Sequence, residues 1–484
     1  MGCGTSGCVG ENASFFVYNA LIQLQHRGED TTKILTFDGK QQHEHGGEGQ
    51  VSNVYSRDIL SDILRGNYAV GHTRYPTVGL YDNPKEKLRD APPIWTDYPC
   101  FIALAHNGDM PNKAYMTLRK KLEKEKFYFK TNSDLEIIEK FLAKGLEKNI
   151  GNSDLENEGI FKSVEYAMRR VQAAYSVVGL IAKGEQCKLV GFADPQKIRP
   201  IIFGKNHKLQ IFASESAAID VLENISGELF ETRELKGGEI IIAEEGKEPE
   251  TRRPIEVEPK HCFFEYTYFA RPDSVENGVS VYDVRFRLGQ ILGRKNKVKA
   301  DFVLPIANSG RIYDKGVSDV TGIPSVEALY KNPYRGRSFI RPPSIRGEIA
   351  KTKSNPIRHL IVGKKIIVTE DSIVRGTNSK NDNEKLRKFG GNIGAKEIHG
   401  KIGTPPLVDI CEWGIDMKDP NAFAARGRNW DEIAKLTGYD SLSYSTTDEL
   451  VETIGLPKGH LCLQCIGGHG PKFDYVISPD DPNF

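Results

Sequence analysis

The segment KKIIVTEDSIVRGTNS, residues 364–379, constrains the fold more than any other. An apolar, β-branched run ends in two adjacent carboxylates, Glu370 and Asp371. A small glycine-containing turn follows, Arg375-Gly376-Thr377-Asn378-Ser379, and then a polar stretch with helical character. Strand, acidic tip, turn and helix form the repeating unit of an open parallel α/β sheet, whose ligands sit beyond the carboxyl ends of the strands. The turn and the helix start offer N–H groups and hydroxyls, which suit a phosphate. The carboxylates can accept from sugar hydroxyls and hold Mg2+. The spacing suits one ligand with a phosphate at one end and a ribose beside it. An ordinary surface turn is the plainer alternative.

The rest of the second half has the same rhythm. ADFVLPIANSG, KKIIVTEDS and GAKEIHGKIG are strand-like, and NDNEKLRKFGG is helical. Residues 331–358 form a basic loop: Lys331, Arg335, Arg337, Arg341, Arg346, Lys351, Lys353 and Arg358 face one acid, Glu348. A solvated loop or a nucleic-acid patch is the simple reading. Beside a phosphate site such a loop can close over a pyrophosphate leaving group and exclude water.

The first half differs. YAVGHTRY, FIALAHNGDM, YSVVGLIA, LQIFASES and GGEIIIA read as strands of a β-rich layered domain. NASFFVYNALIQLQHRG and SDLEIIEKFLAKGLEK read as helices, the second opening on Ser/Asp at its cap. Between the halves, EEGKEPETRRPIEVEPKH (residues 244–261) is charged and carries three prolines, as a linker or surface crossing does. With 484 residues, two or three domains are expected. Lys+Arg 66 balances Asp+Glu 65, so no global charge recruits nucleic acid or membrane. No apolar run approaches the roughly 18–20 residues that cross a bilayer. No basic-then-apolar leader opens the chain. Eight scattered cysteines suit a reducing, cytoplasmic setting rather than a disulfide framework.

Two of the cysteine positions raise questions. Cys3 sits in MGCGTSGCVG. It could be incidental at the terminus, or a palmitoylation site beside a Met-Gly-x-x-x-Ser myristoylation pattern. It could also be a nucleophile that works once the residues before it are removed. Cys462-x-x-Cys465 could be half a zinc site, a redox pair or coincidence. Four further pieces are each weak alone: QHRGED with Arg27 and Gly28, GHTRYPT with Arg74, AHNGDM with Asn107 and Gly108, and KTNSDLEI with Asp134.

In that order after a near-terminal cysteine, these pieces resemble the class II glutamine amidotransferases. KKIIVTEDSIVRGTNS resembles the 5-phosphoribosyl-1-pyrophosphate (PRPP) loop of type I phosphoribosyltransferases. Together with HCFFEYTYFARPDSVENGVSVYDVR and ASESAAID, the match spans nearly the whole chain and narrows to the glutamine PRPP amidotransferase family, in its iron–sulfur branch. The resemblance implies an N-terminal Ntn-type glutaminase αββα sandwich (3–243), the crossing (244–261), a parallel-sheet phosphoribosyltransferase domain (262–455), and a C-terminal tail (456–484).

It also implies roles. Cys3 would be the nucleophile of the mature chain, with its own α-amine, pKa roughly 7.7–8.0, as general base. Asn107 and the backbone of Gly108 would form the oxyanion hole. Arg74 and Asp134 would hold the two charges of glutamine, with Arg27 and Gly28 lining the pocket. Ammonia would pass inside the protein to C1 of PRPP, and the product would be 5-phosphoribosylamine, the start of purine synthesis. Glu370, Asp371, Ser372 and Arg375 to Ser379, with Lys331 and Arg337, would bind PRPP, and Glu370 and Asp371 would hold Mg2+. Cys262, Cys411, Cys462 and Cys465 fall at the family's four cluster positions, so four thiolates would hold a [4Fe–4S] cluster, with Zn2+ as the physical competitor. Cys8, Cys100 and Cys187 read as small buried side chains. Purine nucleotide effectors and a homotetramer are family expectations.

Some positions depart from the family pattern. Glu370 replaces the usual first Asp, Asn308 stands where an acid is usual, Pro76 replaces Ser, and Ala193 in FADPQKIRP replaces Arg. A PRPP-binding regulator, or an enzyme aminating PRPP with free ammonia for another pathway, is the alternative that this divergence leaves open.

Overall fold

The computed structural model describes residues 2–75, 83–151, 153–295, 297–306, 308–332, 354–389, 392–481 and 484. The contacts divide the chain into two units. The first comprises Met1–His261, Glu412–Asp416 and Pro471–Phe484, and the second Cys262–Cys411 and Met417–Gly470.

The central strands of the first unit are buried on both faces, which is why they read as near-continuous apolar runs. Seven form one sheet, in the order Glu231–Glu234, Ile202–Lys205, Gln210–Ala213, Gly4–Val9, Tyr68–Arg74, Thr31–Phe37, Gln42–Glu48. Six form the other: Glu250–Arg252, Ile240–Ala243, Gln186–Ala193, Ala174–Lys183, Phe101–Asp109, Ile94–Thr96. Alternation along each strand sorts its side chains. Val9, Leu35, Val70, Ala103, Ala105, Val178 and Leu189 fill the layer between the sheets. Cys8, Ile34 and Ala69 turn the other way, onto the helix Ala13–Gln23. Ile102, Leu104, Val177 and Ile181 of the second sheet pack on Phe141, Leu142, Ile160 and Val164 of the helices Leu135–Asn149 and Asn157–Met168. Helix, sheet, sheet and helix thus stack as the αββα sandwich. The two sheets come so close at Gly191 that a Cβ there would stand 2.2 Å from the Phe212 ring.

Two features of this unit were not readable from composition. Within 244–261, Glu250–Arg252 is an edge strand paired in register with Ile240–Ile242, and its exposed charges suit an unpaired outer edge. Two late segments also belong to this unit. Arg199, fully buried, donates from Nε and Nη2 to the Trp413 carbonyl at 3.0 and 2.5 Å. The Lys472 N–H donates to Gln196 Oε1 at 3.0 Å, the Ile477 N–H to the Arg169 carbonyl at 2.7 Å, and Phe484 packs edge-on against Phe141.

The second unit holds a four-stranded parallel sheet in the order Phe302–Pro305, Lys365–Glu370, Glu397–Ile402, Ser441–Tyr444. Helices Arg311–Thr321, Thr377–Arg387 and Trp430–Thr437 intervene between successive strands, the crossover that parallel pairing requires. The α-helices Trp430–Thr437 and Thr447–Ile454 each start in a capping box (Asn429/Glu432 and Thr446/Glu449) and stop at a left-handed glycine, Gly438 and Gly455. No helix among the described residues is long and apolar enough to cross a membrane.

Candidate functional site

The strand alternation that builds the first unit also gathers its polar residues. Odd positions of Gly4–Val9 face the second sheet: a Cβ on Gly7 would meet Val178 and Leu189. Cys3 continues that face. Arg74 follows Val70 in the same alternation, and Asn107 follows Ala103 and Ala105, so all three enter the inter-sheet layer at one end. The Tyr75 N–H points at Cys3 Sγ across 3.4 Å. Burial pushes the Cys3 thiol up, against the opposing effects of that N–H and of Arg74. Gly2 lies against Asn107, and a Cβ on Gly2 would stand 2.4 Å from Asn107 Oδ1. Asn107 is fully buried, yet neither Nδ2 nor Oδ1 has a hydrogen-bond partner among the described residues. A buried amide without partners costs free energy, and this one faces the thiol's strand.

Charged groups surround this end. Arg74 Nη1 lies 3.6 Å from Asp30 Oδ2, and Lys87 Nζ lies 3.6 Å from Asp30 Oδ1. Asp134 caps the helix Leu135–Asn149, accepting from the Leu135 N–H at 3.1 Å, and stands 3.4 Å from His106 Nε2. Arg27 is held inside the unit: its Nε is 2.7 Å from Glu215 Oε1, and both side chains are fully buried. Gly28 lets the chain pass the Arg74 backbone, where a Cβ would come within 2.5 Å of the carbonyl. Gly108 is equally committed, since a Cβ would stand 2.0 Å from the Ala174 oxygen. Pro76 lies outside the described residues.

In the second unit, Glu370 and Asp371 stand at the carboxyl end of Lys365–Glu370, as the alternation of strands and helices predicts. Their orientations differ. Glu370 turns inward: Oε2 accepts from Ser379 Oγ at 2.9 Å and Oε1 from the Tyr439 hydroxyl at 2.5 Å. Burial pushes its pKa up to about 8. Asp371 is also raised by burial, and is counteracted by Ser309, Ser372 and Arg285; Ser372 Oγ donates to its Oδ2 at 2.5 Å. Gly376 takes a left-handed conformation, φ 75°, and starts the helix Thr377–Arg387. Arg375, Thr377 and Asn378 are exposed around that start, whereas Ser379 is buried against Glu370. Asn308 is exposed. Lys331 ends the short strand Leu329–Lys331, which pairs with Ser354–Pro356. Arg337 and the rest of the basic loop between these strands lie outside the described residues.

Cys262, Cys411, Cys462 and Cys465 converge in the same unit. They are buried, at 6%, 6%, 7% and 5% exposure, and the short strands carrying Cys262 and Cys462 pair. Burial, then Cys411, Cys262 and Cys462, push the Cys465 thiol well above its ordinary value. Among the described residues, no three His, Cys, Asp or Glu side chains are gathered for a single metal ion. Cys8, Cys100 and Cys187 are buried thiols, and none of the eight cysteines is in a disulfide.

Two residues of these sites went unread in the sequence: Glu215 and Tyr439. The string ASESAAID contains Glu215, but nothing local marks it as the partner of Arg27. Tyr439 follows Gly438 at a helix end, which reads only as a stop signal.

The fold and the two gathered sites define a class: a glutaminase sandwich of the Ntn type and a phosphoribosyltransferase sheet carried by one chain. No protein-family model matches the chain. It is 38% identical over 465 residues to the amidophosphoribosyltransferase of Methanothermobacter thermautotrophicus, covering 94% of this chain and 90% of that one. It is 34% identical over 477 residues to that of Archaeoglobus fulgidus, covering 97% and 98%. A solved glutamine PRPP amidotransferase from B. subtilis, complexed with ADP and GMP, superposes with a TM-score of 0.81 at 31% identity, covering 97% of each chain. The chain belongs to the amidophosphoribosyltransferase family.

Proposed function

We propose that this chain is an amidophosphoribosyltransferase that converts glutamine, PRPP and water to 5-phosphoribosylamine, glutamate and pyrophosphate, the first step of purine synthesis. One observation carries the reading. A single chain of this family keeps both a cysteine beside an unpartnered buried amide and an acidic strand tip before a glycine turn. A PRPP-binding regulator would need only the second.

Cys3 Sγ attacks the carboxamide carbon of glutamine. Asn107 Nδ2 and the backbone of Gly108 receive the developing oxyanion, and so satisfy an amide that otherwise lacks a partner. Arg74 faces the α-carboxylate and Asp134 the α-ammonium. Arg27, paired with Glu215, supports the pocket wall and does not bind substrate charge. The general base is the α-amine of Cys3, so Met1 and Gly2 must be removed, which also clears Gly2 from the face of Asn107. N-terminal sequencing of the mature protein that found Gly2, or a lipid on it, would contradict this step.

At the second site, Asp371 accepts from the ribose hydroxyls, and the turn from Arg375 to Asn378 presents N–H groups and hydroxyls to the 5-phosphate. Lys331 and the basic loop, Arg337 included, serve the pyrophosphate. Of the two acids, Asp371 is the one suited to Mg2+, because both oxygens of Glu370 are engaged by internal donors. Mg2+, when bound, supplies neutralisation of the pyrophosphate charge. Ammonia from glutamine adds at C1 as the C1–O bond to pyrophosphate breaks. The four buried, convergent cysteines would hold a [4Fe–4S] cluster, with one zinc ion as the physical competitor. A homotetramer, purine nucleotide effectors and a cytoplasmic setting complete the reading, the eight free cysteines suiting a reducing compartment.

The test follows glutamate and pyrophosphate in anaerobically purified protein given PRPP, Mg2+ and either glutamine or ammonium. Cys3→Ala is expected to abolish glutamate release and retain pyrophosphate release from ammonium. Glutamate release surviving in Cys3→Ala would overturn the reading.

A further inference from the structure

His72 lies two residues before Arg74 on Tyr68–Arg74 and is 1% exposed. Its neighbours across the sheet are Thr5 and Lys33. Its ring crosses to the other sheet, where Nε2 lies 3.1 Å from the carbonyl oxygen of His106. A carbonyl only accepts, so Nε2 carries the proton and donates. Nδ1 then holds the lone pair, and it has no hydrogen-bond partner among the described residues. Burial, then the nearby His106 ring, hold the His72 pKa well below the ordinary histidine value, which keeps the ring neutral.

The acceptor's position matters. The His106 carbonyl belongs to the peptide unit that continues into Asn107. On one side, Phe101–Asp109 pairs along its length with Ala174–Lys183. On the other, Ile94–Thr96 pairs only with Ile102–Leu104. Past Leu104 no strand among the described residues pairs on that side, and a buried carbonyl needs a donor wherever it points. His72 is such a donor, and it arrives from the strand that ends in Arg74 and leads to the Tyr75 N–H facing Cys3.

We propose that His72 is a positioning residue for glutamine hydrolysis: its Nε2–H ties the strand leading to the Cys3 contact to the strand carrying Asn107 and Gly108, and so sets nucleophile against oxyanion hole. This rests on the glutaminase reading above. Small misplacements of such groups cost rate more than binding, since Arg74 and Asp134 hold the substrate independently.

The test uses the full chain and two variants of similar bulk. His72→Gln can place an amide donor near Nε2, whereas His72→Leu keeps apolar volume without a donor. His72→Leu is expected to lower kcat for glutamine hydrolysis by about tenfold or more while KM for glutamine stays within about threefold. His72→Gln is expected to restore kcat to within about threefold of the wild type. Ammonium-dependent pyrophosphate release should be unchanged in both, which reports an intact second unit, while the unchanged KM for glutamine reports an intact first unit. If His72→Leu lacks that activity as well, His72→Asn, whose shorter amide falls short of the carbonyl, replaces it with the same expectation. Wild-type kcat in the donor-free variant, or equal loss in His72→Gln, overturns the proposal. Absence of glutamine hydrolysis in the wild type would instead remove the glutaminase reading itself.

Discussion

Replacing Glu370 by Gln tests whether this acid is held neutral inside the second unit. Both carboxyl oxygens accept from internal hydroxyls, Tyr439 at 2.5 Å and Ser379 at 2.9 Å. Gln can keep both bonds: its carbonyl accepts from Tyr439, and its amide donates to Ser379 Oγ once that hydroxyl turns. Burial raises the folded pKa from 4.5 to about 8. A raised carboxyl pKa contributes stability that is complete below the unfolded value and disappears as pH climbs through the folded one. With a folded pKa of about 8, the protonated form outweighs the charged form by about tenfold at pH 7 and is outweighed about tenfold at pH 9. The wild type should therefore lose about 1–2 kcal/mol over that interval through this one group. The Gln variant has no proton to lose there. Thermal unfolding in buffer without Mg2+ or PRPP, at pH 7 and pH 9, reads the difference, at about 2–4 °C per kcal/mol for a unit of this size. The two Tm values should lie close at pH 7, with the variant several degrees higher at pH 9. All other titrating groups cancel in the comparison. A Tm difference that does not change with pH would refute the buried-acid argument.

Gly108→Ala should lower glutamine hydrolysis sharply and destabilise the first unit by roughly 1–3 kcal/mol, because the new Cβ meets the Ala174 carbonyl; denaturant unfolding and glutamate release check it. Cys465→Ser should remove iron and acid-labile sulfide from anaerobically purified protein, where the wild type carries about four of each per chain; one zinc per chain in the wild type would contradict the cluster.

Much of the architecture was legible because burial on two faces and strand–turn–helix punctuation leave local traces. YSVVGLIA and FIALAHNGDM announced strands, and in the structure alternation along the second puts Asn107 on the face of Ala103 and Ala105. KKIIVTEDSIVRGTNS announced its own parallel strand. The orientation of a side chain leaves no such trace. Glu370 and Asp371 are neighbours of the same chemistry, yet Glu370 is turned toward a tyrosine about 70 residues later. Arg27 is paired with Glu215, far along the chain, and nothing near either residue in the sequence names the other as its partner. Glu250–Arg252 was hidden by its composition, since an exposed edge strand can be as charged as a linker.

The path of the chain has a further consequence. The glutaminase sandwich takes in Glu412–Asp416 and Pro471–Phe484, which emerge from the ribosome only after most or all of the sugar-phosphate unit has been made. The Gln196 clasp on Lys472 and the Phe141 contact with Phe484 must stay open on the nascent polypeptide. Synthesis order thus delays completion of the ammonia-releasing half until the chain of its consumer has been made.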